Sequence, residues 1–397
     1  MTVTDAVFLL LREALFEQTD KKTIFPTDIA FWKSVCIELE SQAVMGLTSV
    51  VALKHDEIPK EIKKIWSNRK RFSVVRYVQL YEAQKEAVQI IEEAAIDVAV
   101  MKGMASACYF PIPEHRTMGD VDLIVRPRDY WKAAELLRKN GFVAEAKEGS
   151  AYHTAFIRYD VLFELHKSPA SVHKIAQGEV IKKYVLSGLD HIESCQTNYG
   201  EFPMLPWKQN GMELIWHIRQ HLYNGLGLRH IIDWMMFVND KLDDRHFEEY
   251  REDLERCGLL QLALYVTRLC QKYLGLRTED ITWCNSVNED VCDELLSYIL
   301  EQGNFGRKKG LTDKTAKALS GYSTPRLFLG KMHEVGLSRW KQAGENPITR
   351  PFAWIYGIAF FAGKVLSQKS GLRKFIQDAR QGRERRKMFE RLYGGRK

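Results

Sequence analysis

The sequence predicts an α+β fold in which a small mixed-sheet domain sits between two helical regions. Three observations predict it. Residues 1–95 place apolar side chains at three- and four-residue spacing, as in Val7, Leu10, Leu11 and Leu15. From Ile96 the pattern turns to short β-branched runs, among them IDVAVMKG, VDLIV and VLFELH. From Pro206 helical periodicity returns in WKQNGMELIWHIRQHLYN, LRHIIDWMMFVN, DRHFEEYREDLERCG and LLQLALYVTRLCQKYLG, which reads as antiparallel helices with short loops.

The elements follow in order. A helical domain is expected over 1–95, with Pro26, Thr27 and Asp28 as one helix start and Val75, Val78, Leu80, Ala83 and Ala87 as one buried face. An α+β domain is expected over 96–190. Its strand at 96–101 ends in Lys102-Gly103 and leads into the short helix MASACYF; the strand VDLIV follows. The helix in RPRDYWKAAELLRKNGF stops at Asn140-Gly141, where glycine suits the left-handed terminal position. FVAEA, YHTAFIRY and VLFELH complete the strands. A second helical domain is expected over 206–300. Residues 301–397 read as an irregular, Gly/Lys/Ser/Thr-rich connection followed by a basic helical segment.

The chain has 397 residues, room for two or three domains of about 150 residues each. Its +7 charge is uneven, because residues 364–397 hold twelve Lys/Arg against three Asp/Glu. The rest is slightly acidic, which argues against a nucleic-acid-binding catalytic region. The seven cysteines are scattered without a CxxC pair, so neither a zinc knuckle nor a disulfide framework is expected, and a reducing, cytoplasmic setting is the simplest reading. Asp5, Arg12 and Glu13 interrupt the N-terminal apolar stretch, which reads as an amphipathic helix, not a signal peptide. PFAWIYGIAFFAG at 351–363 falls short of the roughly 20 residues needed to span a bilayer. Together with the basic tail it suits peripheral contact with an anionic inner membrane surface; nucleic acid is a second reading, and a core helix followed by a solvated basic helix is the plainest.

The chemistry concentrates in RTMGDVDLIV, residues 116–125. Alternate side chains on a strand share a face, so Asp120 and Asp122 project together, roughly 6–7 Å apart. Two such carboxylates repel unless water solvates both or a cation lies between them, and Mg²⁺ or Mn²⁺ takes this kind of oxygen ligand. By itself the pair reads as solvated acids. Lys102 and Gly103 change the balance, since glycine lets backbone approach a phosphate and lysine adds charge. Arg116, in a loop with Gly119, could hold phosphate oxygens or simply neutralise the two aspartates. Glu164 alternates with Phe163 and Leu165, and could complete a metal site or take a proton from an acceptor hydroxyl. His217 and His221 share a helical face and could chelate zinc, but no glutamate follows His217. A polar face with Arg229, His230 and Asp233 that lines a nucleotide or acceptor cleft is preferred, and histidines packed between helices are the plain alternative. Cys108 reads as a buried structural cysteine.

The segment MKGMASACYFPIPEHRTMGDVDLIV resembles the nucleotidyltransferase superfamily, and more closely its uncharacterised bacterial branch. WHIRQHLYNGLGLRHIIDWMMF is similar to that branch as well, with His217, His221, Arg229 and Asp233 at matching positions. The resemblance runs over roughly residues 40–245 and implies a polymerase-β-like palm. In it Asp120, Asp122 and Glu164 would bind the metal and Gly103 would approach the triphosphate. Lys102, Arg116, Gly119, His217, Arg229 and Asp233 would surround the nucleotide. The chain departs from better-known members in having Gly103-Met104 where they have Gly-Ser or Gly-Gly, a longer interval from Gly103 to Asp120, and Glu164 as third carboxylate. The expected function is Mg²⁺-dependent transfer of a nucleoside monophosphate, with ATP as donor, to a small-molecule, peptide or protein acceptor. The alternative is a catalytically weak nucleotide-binding scaffold brought to a membrane or partner by its basic tail.

Overall fold

The computed structural model describes residues 1–19, 24–145, 152–170, 172, 176–222, 225–309, 352, 355–359 and 384–393. Residues 1–307 form one compact unit and 308–397 another.

Four helices open the first unit: α1 (Val3–Phe16), α2 (Ile29–Ser41), α3 (Met45–Ala52) and α4 (Lys60–Glu92). Their starts follow local chemistry. Thr2 Oγ1 accepts from the Asp5 amide at 3.1 Å while Asp5 Oδ2 accepts from the Thr2 amide at 2.7 Å, so two orphan donors of α1 are satisfied reciprocally. Asp28 caps α2 by accepting from the Phe31 amide at 2.6 Å. Along α4 the buried face runs through Ser73, Tyr77, Leu80, Tyr81, Gln84, Ala87, Val88 and Ile91. Val75, expected on that face, is 67% exposed. The aromatic rings of Tyr77 and Tyr81 set the rotation of the helix, because each removes more apolar area from water than a valine would.

The sheet has seven strands in the order β3-β4-β5-β2-β1-β7-β6. They are β1 (Val98–Met101), β2 (Asp120–Val125), β3 (Val143–Ala144), β4 (His153–Arg158), β5 (Val161–His166), β6 (Glu193–Thr197) and β7 (Gly200–Met204). The sheet is mixed: β2 runs antiparallel to β1 and parallel to β5, and β1 runs parallel to β7. Strands β6 and β7 carry the sheet past residue 190, where the sequence offers only a short alternating run with Pro203 inside it. One face packs Val121, Leu123, Phe156, Phe163 and Leu165 into the core, where Phe142 meets Phe163 edge-on at 5.0 Å between ring centroids. The other face carries the polar residues described below.

Two short helices interrupt the strands, α5 (Gly103–Ala107) after β1 and α6 (Tyr130–Lys139) after β2, and α7 (Gly178–Ser187) precedes β6. Five helices follow: α8 (Trp207–His221), α9 (Leu228–Lys241), α10 (Asp244–Arg256), α11 (Leu260–Leu269), which runs into a π-helical turn at Cys270–Leu274, and α12 (Glu289–Gln302). Gly211 inside α8 has a packing reason: a Cβ there would lie 2.3 Å from Phe237 Cζ, so its absence lets α8 and α9 close together.

One expectation about the cysteines is corrected. Cys108, at the end of α5, and Cys195, in β6, form a disulfide across 87 residues of sequence. Nothing in their spacing signals it, because β6 is brought to α5 only by the sheet. In the second unit, residues 355–359 and 384–392 are helical. Most of the expected irregular connection, the apolar segment 351–363 and the basic tail lie outside the described residues. No helix among the described residues is long and apolar enough to cross a membrane.

Candidate active site

The strand order brings the chemistry together at the centre of the sheet, where β5, β2 and β1 lie side by side. Asp122 pairs with Met101 across β1 and with Glu164 across β5. Asp120 and Asp122 therefore share the polar face with Glu164 and His166, and His153 on β4 lies opposite His166. Helix α8 covers this face with Glu213, His217, Gln220 and His221.

Between strands and helix is a cavity of about 290 Å³. Of the residues expected from sequence, it is lined by Lys102, Gly103, Arg116, Gly119, Asp120, Asp122, Glu164, His217, His221 and Arg229. Asp233 is not among the lining residues. It is buried and grips Arg116, Nε to Oδ1 at 2.6 Å and Nη2 to Oδ2 at 2.7 Å. This bidentate pair uses most of the Arg116 guanidinium and ties the loop before β2 to α9. Gly119 has open space around it, whereas a Cβ on Gly103 would come within 3.3 Å of the Asp120 carbonyl oxygen.

Sequence reasoning missed several lining or supporting groups: Tyr152, His153, Gln220 and Phe305 in the cavity wall, and His166 and Glu213 behind it. His166 was within reach, because Glu164-Leu165-His166 repeats the two-residue period of a strand face. Tyr152, Phe305 and Glu213 come from distant elements and carry no local signal.

His166 is fully buried, and its Nε2 lies 2.9 Å from Asp122 Oδ1 and 3.2 Å from Glu164 Oε2. Two carboxylate acceptors fix the proton on Nε2 and orient both acids. Burial works to lower the His166 pKa, but the two carboxylates outweigh it and raise it. Lys102 Nζ stands 3.1 Å from the same Asp122 oxygen and 3.8 Å from Glu213 Oε1. Burial opposes the charge of Lys102, yet Asp122, Glu213 and Glu164 hold the ammonium protonated, above its ordinary range.

The carboxylates divide accordingly. Burial alone would raise Asp122, but Lys102 and His166 reverse this and hold it below the usual carboxylate range. Glu164 is lowered in the same way, His166 outweighing burial. The Asp120 carboxylate accepts no hydrogen bond among the described residues; burial, then Asp122 and Glu164, push it up to about 6. Glu213, under Lys102, is pushed up to about 7 by burial.

This donor set suits a hard divalent cation: three carboxylates share one wall, and their mutual repulsion is relieved at Asp122 and Glu164 but not at Asp120. The three are not drawn into a single cluster as they stand. Among the described residues, the groups whose ligand atoms all lie within 4.8 Å of one another are His153/Glu164/His166 and His217/His221/His230. In the second group, His217 Nε2 and His221 Nε2 are 2.9 Å apart and hydrogen-bond to each other. His230 Nδ1 accepts from the Gly227 amide at 3.5 Å, leaving the proton on Nε2, which has no partner. A zinc ligand needs that Nε2 lone pair and a second acceptor behind the ring, so the trio lacks the outer support typical of zinc sites. Burial holds all three histidines neutral, His221 down to about 3 and the others well below their ordinary value. Arg229 lies over the Phe305 ring at 5.5 Å and donates to the Thr117 carbonyl at 3.4 Å, on the cavity side of the trio.

A comparison with curated proteins gave no match. Among solved structures, the solution structure of the antibiotic-resistance factor ANT(2'')-Ia is similar over 46% of this chain and 92% of that chain, with 13% identity and a TM-score of 0.32. A likeness of that size carries no argument about chemistry. The family model described as "Uncharacterised nucleotidyltransferase" matches residues 32–275, a span that contains every strand and the whole cavity wall except Phe305; the chain belongs to that nucleotidyltransferase family.

Proposed function

We propose that this protein transfers a nucleoside monophosphate from a nucleoside triphosphate, with ATP as donor, to an acceptor hydroxyl, releasing pyrophosphate. The observation that carries the reading is the common face of Asp120, Asp122 and Glu164 on adjacent strands, in a cavity that also holds Lys102 and Arg229. Asp120, Asp122 and Glu164 would hold Mg²⁺ or Mn²⁺, which when bound offsets charge on the triphosphate. The chain's own residues do the rest. Gly103 keeps the wall beside Asp120 clear of a side chain, so a phosphate can approach the backbone. Arg229 presents a guanidinium to phosphate oxygens. Glu164, oriented by His166, accepts the proton of the acceptor hydroxyl as its oxygen bonds to the α-phosphorus. The bond to pyrophosphate breaks in line, and its electron pair leaves with pyrophosphate. Gln220, Tyr152, His217 and His221 form the wall that would meet the base or the acceptor, a small molecule, peptide or protein.

A second reading is a nucleotide-binding protein with weak catalysis. It is favoured by one feature: Asp122 is already engaged by both Lys102 and His166. One experiment separates the two. The protein is incubated with Mg²⁺, α-³²P-labelled nucleoside triphosphates and cell extract as the acceptor source, beside the Asp120→Ala/Asp122→Ala variant. Label transfer that disappears in the variant supports the enzyme. Nucleotide binding with neither label transfer nor pyrophosphate release overturns it in favour of the second reading.

A further inference from the structure

Lys102 occupies a position that its backbone makes uncomfortable. Between β1 and α5 it adopts φ 47° and ψ −125°, a region where glycine is at ease and a residue with a Cβ is strained. The side chain is nevertheless buried, with its ammonium between two acids. One of them, Asp122 Oδ1, also receives His166 Nε2. The other, Glu213 on α8, is fully buried, and neither of its carboxylate oxygens has a hydrogen-bond partner. A buried carboxylate left in that state is costly, and it sits 3.8 Å from an ammonium on a four-carbon stem with several rotatable bonds. A shift of Nζ by about 1 Å would bring it within hydrogen-bond distance of Glu213. Glu164, His166 and His217 are the other titratable groups that face this spot.

We propose that Glu213 is the alternate seat of Lys102: the ammonium rests on Asp122 when no cation is present and moves to Glu213 when a divalent cation engages Asp122. This rests on the cation-binding reading of Asp120, Asp122 and Glu164. In that arrangement Lys102 acts as a built-in placeholder. It neutralises Asp122 while no cation is bound, then withdraws to an acid that has no other partner. Glu213 is thereby a positioning residue that acts through Lys102 and touches neither nucleotide nor cation.

The test is Mn²⁺ binding, read from the free-ion paramagnetic resonance signal, with and without a non-hydrolysable ATP analogue. Glu213→Gln keeps the shape but removes the charge that receives Lys102, so Mn²⁺ affinity is expected to fall about tenfold. Lys102→Met removes the placeholder and is expected to bind Mn²⁺ at least as tightly as the unaltered protein. In the Lys102→Met background, adding Glu213→Gln is expected to change affinity by less than twofold. A merely structural role for Glu213 would not vanish when Lys102 is removed. Unchanged affinity in Glu213→Gln, or a loss that persists in the Lys102→Met background, overturns the proposal. If Glu213→Gln alone gives no cooperative melt, Glu213→Asp, which keeps the charge but draws it away from Lys102, takes its place: a fall in Mn²⁺ affinity that vanishes in the Lys102→Met background supports the proposal, and an unchanged affinity overturns it. If the unaltered protein binds no more Mn²⁺ than Asp120→Ala/Asp122→Ala, the cation reading itself fails, and this inference falls with it.

Discussion

Arg116 and Asp233 lie 117 residues apart in sequence and meet through two parallel hydrogen bonds in the interior. The pair fixes the loop that delivers Gly119 and Asp120 to the cavity against α9, the helix that carries His230. Breaking it from one side leaves an uncompensated buried charge. Asp233→Ala is expected to lower stability by about 3–5 kcal/mol, read from urea unfolding at neutral pH. Replacing both partners, as in Arg116→Met/Asp233→Leu, is expected to cost much less, because no charge is left unpaired. A double variant as unstable as Asp233→Ala would refute the argument.

Asp120 supplies a pH prediction. Its folded pKa is raised to about 6 by burial and by Asp122 and Glu164, above the value near 3.9 of an unfolded chain. The native state therefore holds this proton more tightly, and the associated stability is present below about pH 4 and lost as pH rises through 6. Above pH 6 the ionised Asp120 is a net burden. In the presence of a chelator, Asp120→Asn is expected to be more stable than the unaltered protein at pH 7 by about 1–2 kcal/mol. The gain should shrink towards zero at pH 4. Thermal melts at the two pH values measure it, and a variant less stable at pH 7 would contradict it.

The histidine trio gives the opposite sign. Burial depresses His217, His221 and His230 below the ordinary histidine value of about 6.5, so their contribution is complete above that pH and is lost as pH falls towards their folded values. Each adds up to about 1.4 kcal/mol per pH unit to the acid slope of stability. His217→Gln/His221→Gln is expected to flatten that slope between pH 6 and 4, measured as urea midpoints. An unchanged slope would place the acid sensitivity elsewhere.

The disulfide between Cys108 and Cys195 anchors α5, whose first residue is Gly103, to β6. Reduction is expected to lower stability by about 2–4 kcal/mol, and Cys195→Ser should reproduce the loss and no longer respond to dithiothreitol. Equal melting temperatures with and without reductant would show that the link contributes nothing.

Much of this molecule was legible in the sequence, for reasons that can be named. Helix periodicity in 1–95 and after Pro206, and the switch to period two at Ile96, reflect one-dimensional rules of which side chains share a face. The same rule put Asp120 beside Asp122, and set Glu164 on a strand of the same alternating kind. Where a stretch is half polar and holds a proline, as in β6 and β7, alternation is too short to mark a strand. Val75 shows another limit. Periodicity finds a face only approximately, and the large aromatic rings of Tyr77 and Tyr81 decided the rotation.

What the sequence by itself determined was the order of elements and the residue types available for chemistry, because propensity, capping and alternation act over a few residues. Only the tertiary structure decided which distant groups meet. The parallel pairing of β2 with β5 set Glu164 against Asp122. The packing of α8 on the sheet put Glu213 under Lys102, and α9 took Asp233 out of the cavity to hold Arg116. These contacts are electrostatic and long-range in sequence. Their strength comes from burial, which exists only once the elements have packed.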